Sequence, residues 1–283
     1  MDNRPSFSII IPLYNKERSI ERTMKSVLGQ TYEGFELIIV DDGSSDNSPA
    51  IVKDICASDE RVKYIVQKNA GPSAARNNGI KAARNEWLVL LDADDVFADN
   101  ALELFARQII NHPSFDLHIG AHQFSGKDVF KYYDKDRAVK NGYFAFLVGR
   151  AYLLAGSFAL RKRVAESVLY DERMWRLEDL DFMMRVFRIT KGFRYFPEPV
   201  VYIQSEFASA SMVKQPIEKD YRGYLSLKGK SFWERVATYH LYNSAKDKYP
   251  EEAKAYDPMF KHRYLLRLTV IATQYYRLLS QKN

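Results

Sequence analysis

The run LVLLDADDVF (residues 88–97) carries a short apolar stretch straight into three carboxylates, Asp92, Asp94 and Asp95. Like charges this close repel, so the cluster needs a counter-charge or open water. Clustered carboxylate oxygens suit Mg2+ or Mn2+, which also keep substrate phosphates and water in their shell. Residues two apart at the end of an extended segment point the same way, so Asp92 and Asp94 converge and are the metal-ligand candidates. A purely structural role, an acid capping the helix that begins near residue 100, accounts for Asp99 or Asn100 but not for three acids ahead of them. Further acids stand in VDDGSSD (40–46) and in LEDLDF (177–182).

The elements that position these groups alternate. FSIIIP (7–12), FELIIVDD (35–42), VKYIVQ (62–67) and WLVLL (87–91) read as strands. Between and after them, 16–30, 45–58, 71–85 and 100–111 read as helices, the third with Pro72 in its first turn, where proline is tolerated. Such alternation predicts an α/β fold with a mostly parallel central sheet and right-handed crossovers. Ligands of these sheets bind beyond the carboxyl ends of the strands. There the first strand delivers Pro12, Tyr14 and Asn15, the second Asp41 and Asp42, and the fourth the DADD acids. Asp41 and Asp42 are adjacent on a strand and face opposite sides, so only one serves a ligand. Arg76 lies one turn into the helix after Gly71, whose amino end favours anions.

Beyond residue 112 the alternation blurs. Residues 116–124 and 128–133 read as strands, antiparallel to each other, with a helix around 141–153. EDLDFMMRVFRITKG (178–192) reads as a helix stopped by Gly192. FRYFPEPVVYI (193–203) is strand-like but holds two prolines, which suits an edge. From about 216 onward the pattern is helical.

The chain has 283 residues, 46% hydrophobic and 28% charged, enough for a large packed core. The net charge of +6 is uneven: residues 214–283 hold 14 Lys/Arg and 7 Asp/Glu, leaving the rest near neutral. One cysteine, Cys56, rules out an intrachain disulfide and a Cys-based metal site, and fits a reducing cytoplasm. No stretch reads as a signal peptide or a membrane span, and no nucleic-acid partner is expected.

SIIIPLYNKERSIERTMKSVLGQTYEGFELIIVDDGSSDNS (8–48), NAGPSAARNNGI (69–80), DADD and LEDLDF together closely resemble family 2 glycosyltransferases. The likeness is good over 7–110, fair to about 205 and absent beyond. It implies a GT-A fold with a helical C-terminal extension: a catalytic domain over 1–213, split into a nucleotide-sugar half (1–111) and an acceptor half (112–213), then 214–283. It implies transfer of a hexosyl group, with inversion, from a nucleotide diphosphate sugar (UDP-linked on family frequency) to a glycan or lipid-linked glycan hydroxyl in cell-surface polysaccharide synthesis. Carried over by position, Pro12 and Tyr14 line the base pocket and Asp42 bonds the base ring. Arg76 lies near the nucleotide. Asp92 contacts ribose or metal, with Ala93 beside it, and Asp94 is the direct ligand of Mg2+ or Mn2+. Asp179 is the base that takes the acceptor's proton, with Glu178 as its neighbour. Acids in the first turn of a helix also stabilise it through the dipole, so an acid there has a second explanation.

One departure stands out. Many relatives carry a histidine after the tyrosine of the strand that follows the base helix. In VVYIQSEFASASM (200–212), Tyr202, Ser209 and Ser211 are recognisable, Ser205 and Glu206 stand nearby, and no histidine is present. That leaves metal dependence open. Two other classes remain. DADDV matches the DxDx(T or V) stretch of haloacid-dehalogenase phosphatases, with Asp92 as nucleophile, although those enzymes carry it on the first strand. A non-catalytic binding protein with the same fold is the other. The tail KHRYLLRLTVIATQYYRLLSQKN (261–283) repeats Leu265, Leu268, Ile271, Tyr275 and Leu278 at helix spacing among basic residues. Such a helix either packs on its own domain or lies peripherally on the inner face of the membrane.

Overall fold

The computed structural model describes residues 4–174, 177–204, 227–228, 230–248, 254–260 and 264–280. Ser205, Glu206, Ser209 and Ser211 lie outside them, as do the ends of the tail.

The amino-terminal half is built from repeated strand–helix units. β1 (Phe7–Leu13), β2 (Phe35–Asp41), β3 (Val62–Val66) and β4 (Trp87–Leu90) alternate with α1 (Ile20–Leu28), α2 (Ser48–Cys56) and α3 (Pro72–Ala82). These four strands are parallel in the order β3-β2-β1-β4, with Phe7 opposite both Phe35 and Trp87. β5 (Val96–Phe97) and α4 (Ala101–Asn111) follow. Asn100 precedes α4 but its side chain makes no capping bond; Gln30 Oε1 instead accepts from the Leu102 amide at 3.0 Å.

β6 (Leu117–Phe124) is followed by β7 (Val129–Phe130), antiparallel to it as expected. Then come β8 (Arg137–Val139) and α5 (Gly142–Leu147), shorter than the helix expected around 141–153. β9 (Phe158–Arg161) and α6 (Lys162–Val168) follow, two elements that the sequence pattern does not announce. β9 sits antiparallel between β4 and β6 and joins the two halves of the sheet. α7 (Glu178–Ile189) ends before Gly192, whose positive φ of 104° suits glycine.

β10 (Phe193–Ile203) corrects a second expectation. Its two prolines do not put it at an edge: it lies between β6 and β5, and β8 also pairs with it. The register to β6 shifts between Tyr195 and Pro199 and again between Pro199 and Val201. A bulge therefore absorbs the donors that proline lacks.

Alternation along the strands builds two cores. Ile9, Ile11, Leu37, Ile39 and Val89 face α1 and α4, while Ile10, Ile38, Leu88 and Leu90 face α3 and the helices of the second half. Gly79 lets α3 close on β1, because a Cβ there would stand 2.2 Å from Ile10 Cγ2. The second core continues into α8 (Phe232–Lys248), α9 (Asp257–Phe260) and α10 (Tyr264–Ser280) through Val236, Tyr242, Phe260 and Val270. α10 buries Leu266, Val270 and Thr273, whereas Leu265, Leu268 and Ile271 of the repeating stripe are exposed. The packed residues are thus a different set from the stripe read in the sequence, of which the side chains of Tyr275 and Leu278 lie outside the described residues. No helix among the described residues is long and apolar enough to cross a membrane.

Candidate active site

The carboxyl ends of β1, β2 and β4 open onto one edge of the sheet. At the end of β1, Pro12 lies past the last β1–β4 pair, Ile10–Leu90, so its missing N–H removes no bond from that ladder. Tyr14 is 50% exposed and Asn15 takes a left-handed φ of 52°. Asn15 N donates to Ser44 Oγ at 3.0 Å and its Oδ1 accepts from Ser45 N at 2.8 Å, tying this loop to the one after β2.

Asp41 and Asp42 diverge as the pleat requires. Asp41 accepts from Ser44 N at 2.8 Å and from the Tyr64 hydroxyl at 2.5 Å. Asp42 accepts from Gln67 Nε2, Ala70 N and Gly71 N at 2.7, 2.8 and 2.8 Å. Buried Asp42 therefore moulds the loop that leads into α3, where Gly71 has a φ of 93° that a side chain would strain.

After Leu90 the chain turns rather than running on extended, with Asp95 N donating to Asp92 O at 3.1 Å. The extended geometry on which the convergence of Asp92 and Asp94 was expected is therefore absent. Each acid meets its own partner. Asp92 Oδ1 receives Arg76 Nη2 at 3.1 Å. Asp94 Oδ2 receives Lys16 Nζ at 2.5 Å. Asp95 is buried, accepts from Gln204 N at 3.0 Å, and so anchors the end of β10. Burial first, then the charge of Asp92, push the Asp95 carboxyl up to about 8. Ala93 buries its methyl, and its carbonyl accepts from Ser19 Oγ at 2.9 Å and Thr23 Oγ1 at 3.1 Å, pinning the turn to α1. Among the described residues no three acidic, histidine or cysteine side chains cluster as metal ligands.

The second acidic stretch opens α7. Leu177 holds a left-handed φ of 54°, sparsely populated for a bulky residue, just before Glu178 and Asp179. Glu178 Oε1 receives Arg76 Nη1 at 2.8 Å, with both side chains buried. Arg76 thus bridges Glu178 and Asp92, and its guanidinium lies 5.3 Å from the Tyr170 ring centroid. Burial opposes the guanidinium's charge, but Asp92 and Glu178 outweigh it and raise its pKa above the ordinary value. Glu178 Oε2 is buried with no hydrogen-bond partner among the described residues.

Asp179 Oδ1 accepts from the Leu180 amide at 2.8 Å and Oδ2 from the Tyr152 hydroxyl at 2.9 Å. Burial, then the charge of Glu178, push its carboxyl up to about 6, with Tyr152 and Arg76 holding it down. Arg76 joins Asp92 to the stretch that holds Asp179. Tyr14 and Asp94 belong to the same sheet edge.

Two residues at this site were missed in the sequence, Lys16 and Tyr152. Lys16 follows Asn15 at the strand end and reads there as the start of a helical surface run. Tyr152 falls in the stretch read as a helix around 141–153, whereas the helix of the structure ends at Leu147.

The model of the family described as glycosyl transferase family 2 matches residues 8–187. A pneumococcal relative, glycosyltransferase GlyG of Streptococcus pneumoniae, is 28% identical over 65% of this chain and 56% of its own length. An uncharacterized glycosyltransferase of Haemophilus influenzae is 43% identical over 36% of this chain and 41% of its own. Another, from Rickettsia conorii, is 38% identical over 44% of this chain and 20% of its own. The chain thus spans between a fifth and just over half the length of these relatives. Residues 1–349 of S. aureus TarS, crystallised with UDP-GlcNAc, superpose with a TM-score of 0.72 at 20% identity, covering 86% of this chain and 73% of that one. The fold is therefore the GT-A fold.

Proposed function

The chain belongs to glycosyl transferase family 2, and from that premise we propose that it transfers a sugar from a nucleotide diphosphate sugar to a glycan or lipid-linked glycan hydroxyl, with inversion. The observation that carries this reading is the Arg76 bridge. It joins Asp92, at the strand ends where such folds bind nucleotides, to Glu178 beside a carboxylate poised to take a proton.

Asp179 is the base. With its carboxyl pushed up to about 6, it is ionised at neutral pH yet basic enough to accept a proton. Each of its oxygens keeps a lone pair beyond the bonds from Leu180 N and Tyr152. As the acceptor oxygen attacks the anomeric carbon, its proton passes to Asp179 and the bond to the diphosphate breaks on the opposite face. A single displacement of this kind inverts the centre and needs no covalent intermediate.

The donor set at the DADD turn fits a shared rather than a closed metal site. Mg2+ or Mn2+ is commonly held by one or two carboxylates, with phosphates and water completing the shell. Asp94 and Asp92 are the residues for this, and a bound ion would neutralise charge growing on the diphosphate. Lys16 stands on Asp94 and supplies part of that charge from the chain itself. Tyr14 and Pro12 offer the base an exposed ring and a rigid wall, Asp42 shapes the loop beside them, and Ala93 fixes the turn. The UDP and UDP-GlcNAc complexes of TarS, which shares the fold, support uracil as the base.

Calorimetric titration with UDP, GDP and CMP sugars, each with and without Mn2+, tests the reading. Micromolar binding of one sugar nucleotide, tightened by Mn2+, is expected. Binding of none, with aryl phosphate hydrolysis that Asp92→Asn abolishes, would favour the phosphatase alternative; binding without any transfer would favour the non-catalytic one.

The exposed Leu265, Leu268 and Ile271 of α10, on a basic tail, support a peripheral place on an anionic membrane at its cytoplasmic face. Flotation with anionic liposomes, reduced by Leu268→Glu, is the expected result; equal recovery of both proteins removes the idea.

A further inference from the structure

Away from the DADD turn, the loop before β8, β8 itself and α5 enclose an open cleft of about 880 Å3. Its wall carries Lys135, Arg137, Lys140 and Arg150 against two acids, Asp134 and Asp136. Asp136 is already engaged by Gln108 Nε2 at 2.9 Å. Lys135, Arg137 and Lys140 make no ion pair with any described residue. Two guanidiniums share one aromatic ring: Arg137 lies 4.5 Å and Arg150 5.5 Å from the Tyr133 centroid. Arg150 is held in place by donating to the Tyr132 carbonyl at 2.5 Å. Like charges gathered on one ring repel, and a bound anion relieves that repulsion. The volume lies in the upper part of the range for ligand sites, roughly 300–1,000 Å3, so it suits a chain segment better than a single ion.

The cleft wall is linked along the chain to the proposed base. Arg150 is two residues from Tyr152, whose hydroxyl bonds Asp179. Two residues span at most about 7 Å of backbone. Tyr133, on the cleft wall, follows Tyr132, whose hydroxyl points to the Tyr152 carbonyl at 3.4 Å. A cationic residue of the cleft wall thus lies two positions from the tyrosine that holds the base.

We propose that this cleft binds an acidic glycan segment, part of the acceptor chain. Calling the occupant an acceptor rests on the transfer reading above; the binding itself does not. Positioning an acceptor by charges remote from the attacked carbon is a standard use of binding energy, and the attraction weakens as salt rises.

Binding is measured by competition against labelled dextran sulfate in the absence of any sugar nucleotide, so its outcome is independent of whether transfer is found. Neutral dextran of matched length and single-stranded DNA of matched charge are the companion probes. The expected result is salt-dependent binding of dextran sulfate, at least tenfold weaker in Arg137→Gln/Lys140→Gln, with no binding of dextran and weaker binding of DNA. A second double variant, Lys254→Gln/Arg267→Gln, removes the same charge from the tail and is expected to change binding less than twofold. Melting temperatures of both variants check the fold. Equal weakening by the two variants would mean a diffuse field of the basic tail, and equal binding of DNA a site without preference for glycans. Either result, or no binding of dextran sulfate, overturns the proposal.

Discussion

The turn after β4 and the start of α7 each gather three acids, and the molecule treats them differently. At the turn, Asp92 and Asp94 keep contact with water and each meets a cation, Arg76 or Lys16. At the helix start, Glu178 is buried against Arg76 and Asp179 is raised by burial and by its neighbour's charge. Carboxylates that face water and a cation can exchange partners, which suits a site for phosphates and metal. Burial lifts a carboxylate toward neutrality, which suits a base. Arg76 belongs to both regions, so the contrast is held by one side chain.

Breaking that shared contact gives the largest expected effect. Arg76→Met strands the Glu178 carboxylate in the interior, and losing one partner of a buried pair costs about 3–5 kcal/mol. Chemical denaturation should show a loss of that order, and transfer should fall with it. A stability within about 1 kcal/mol of the parent would mean that the bridge holds neither region.

Lys16→Met sharpens the contrast from the other side. It removes the cation that occupies Asp94, so Mn2+ binding without nucleotide, read by electron paramagnetic resonance, should tighten about fivefold, as an ion pair worth roughly 1 kcal/mol implies. Weaker binding would show that Lys16 organises the acids rather than competing for them. Chelation of the metal should in turn weaken sugar-nucleotide binding less in the parent than in Lys16→Met, because only the parent keeps a built-in cation.

The smallest effect concerns Asp95, the member of the turn that is buried rather than paired with a cation. Its folded pKa of about 8 lies above the ordinary 3.8, so between these values the folded chain holds a proton that the unfolded chain has lost. Its contribution to stability is therefore present below about pH 4 and lost as pH rises towards 8. Asp95→Asn keeps an acceptor for Gln204 N and removes the ionisation. Its melting temperature should gain on the parent's as pH rises from 5 to 8; a constant difference across that range would contradict the assignment.

Much of this was legible in the sequence because it is local. The strand–helix period of the first 111 residues marks β1 to β4, and the strand ends place Asp42, Arg76 and the DADD acids at one edge. What was hidden depends on distant partners. β9 is four residues long, and nothing in FALR announces that it will lie between β4 and β6. The prolines of β10 read as an edge because the compensating bulge is set by its pairing with β6. Lys16 meets Asp94 across 78 positions, and Tyr152 meets Asp179 across 27. The packed face of α10 was misplaced because apolar residues occur on both faces, and only contact with the preceding helices selects one.

In the proposed reaction the α7 acids supply the base while the turn acids serve the donor. The direct measurement is kcat/KM against pH for the parent and for Asp179→Asn, alongside sugar-nucleotide affinity for both. The parent profile should rise through about pH 6 as Asp179 ionises. In the variant, transfer should be lower by about 10²–10⁴ and that limb lost, as for removal of a general base, with donor affinity unchanged within about twofold. A variant that retains the limb and the rate, or one that loses donor binding instead, would contradict it.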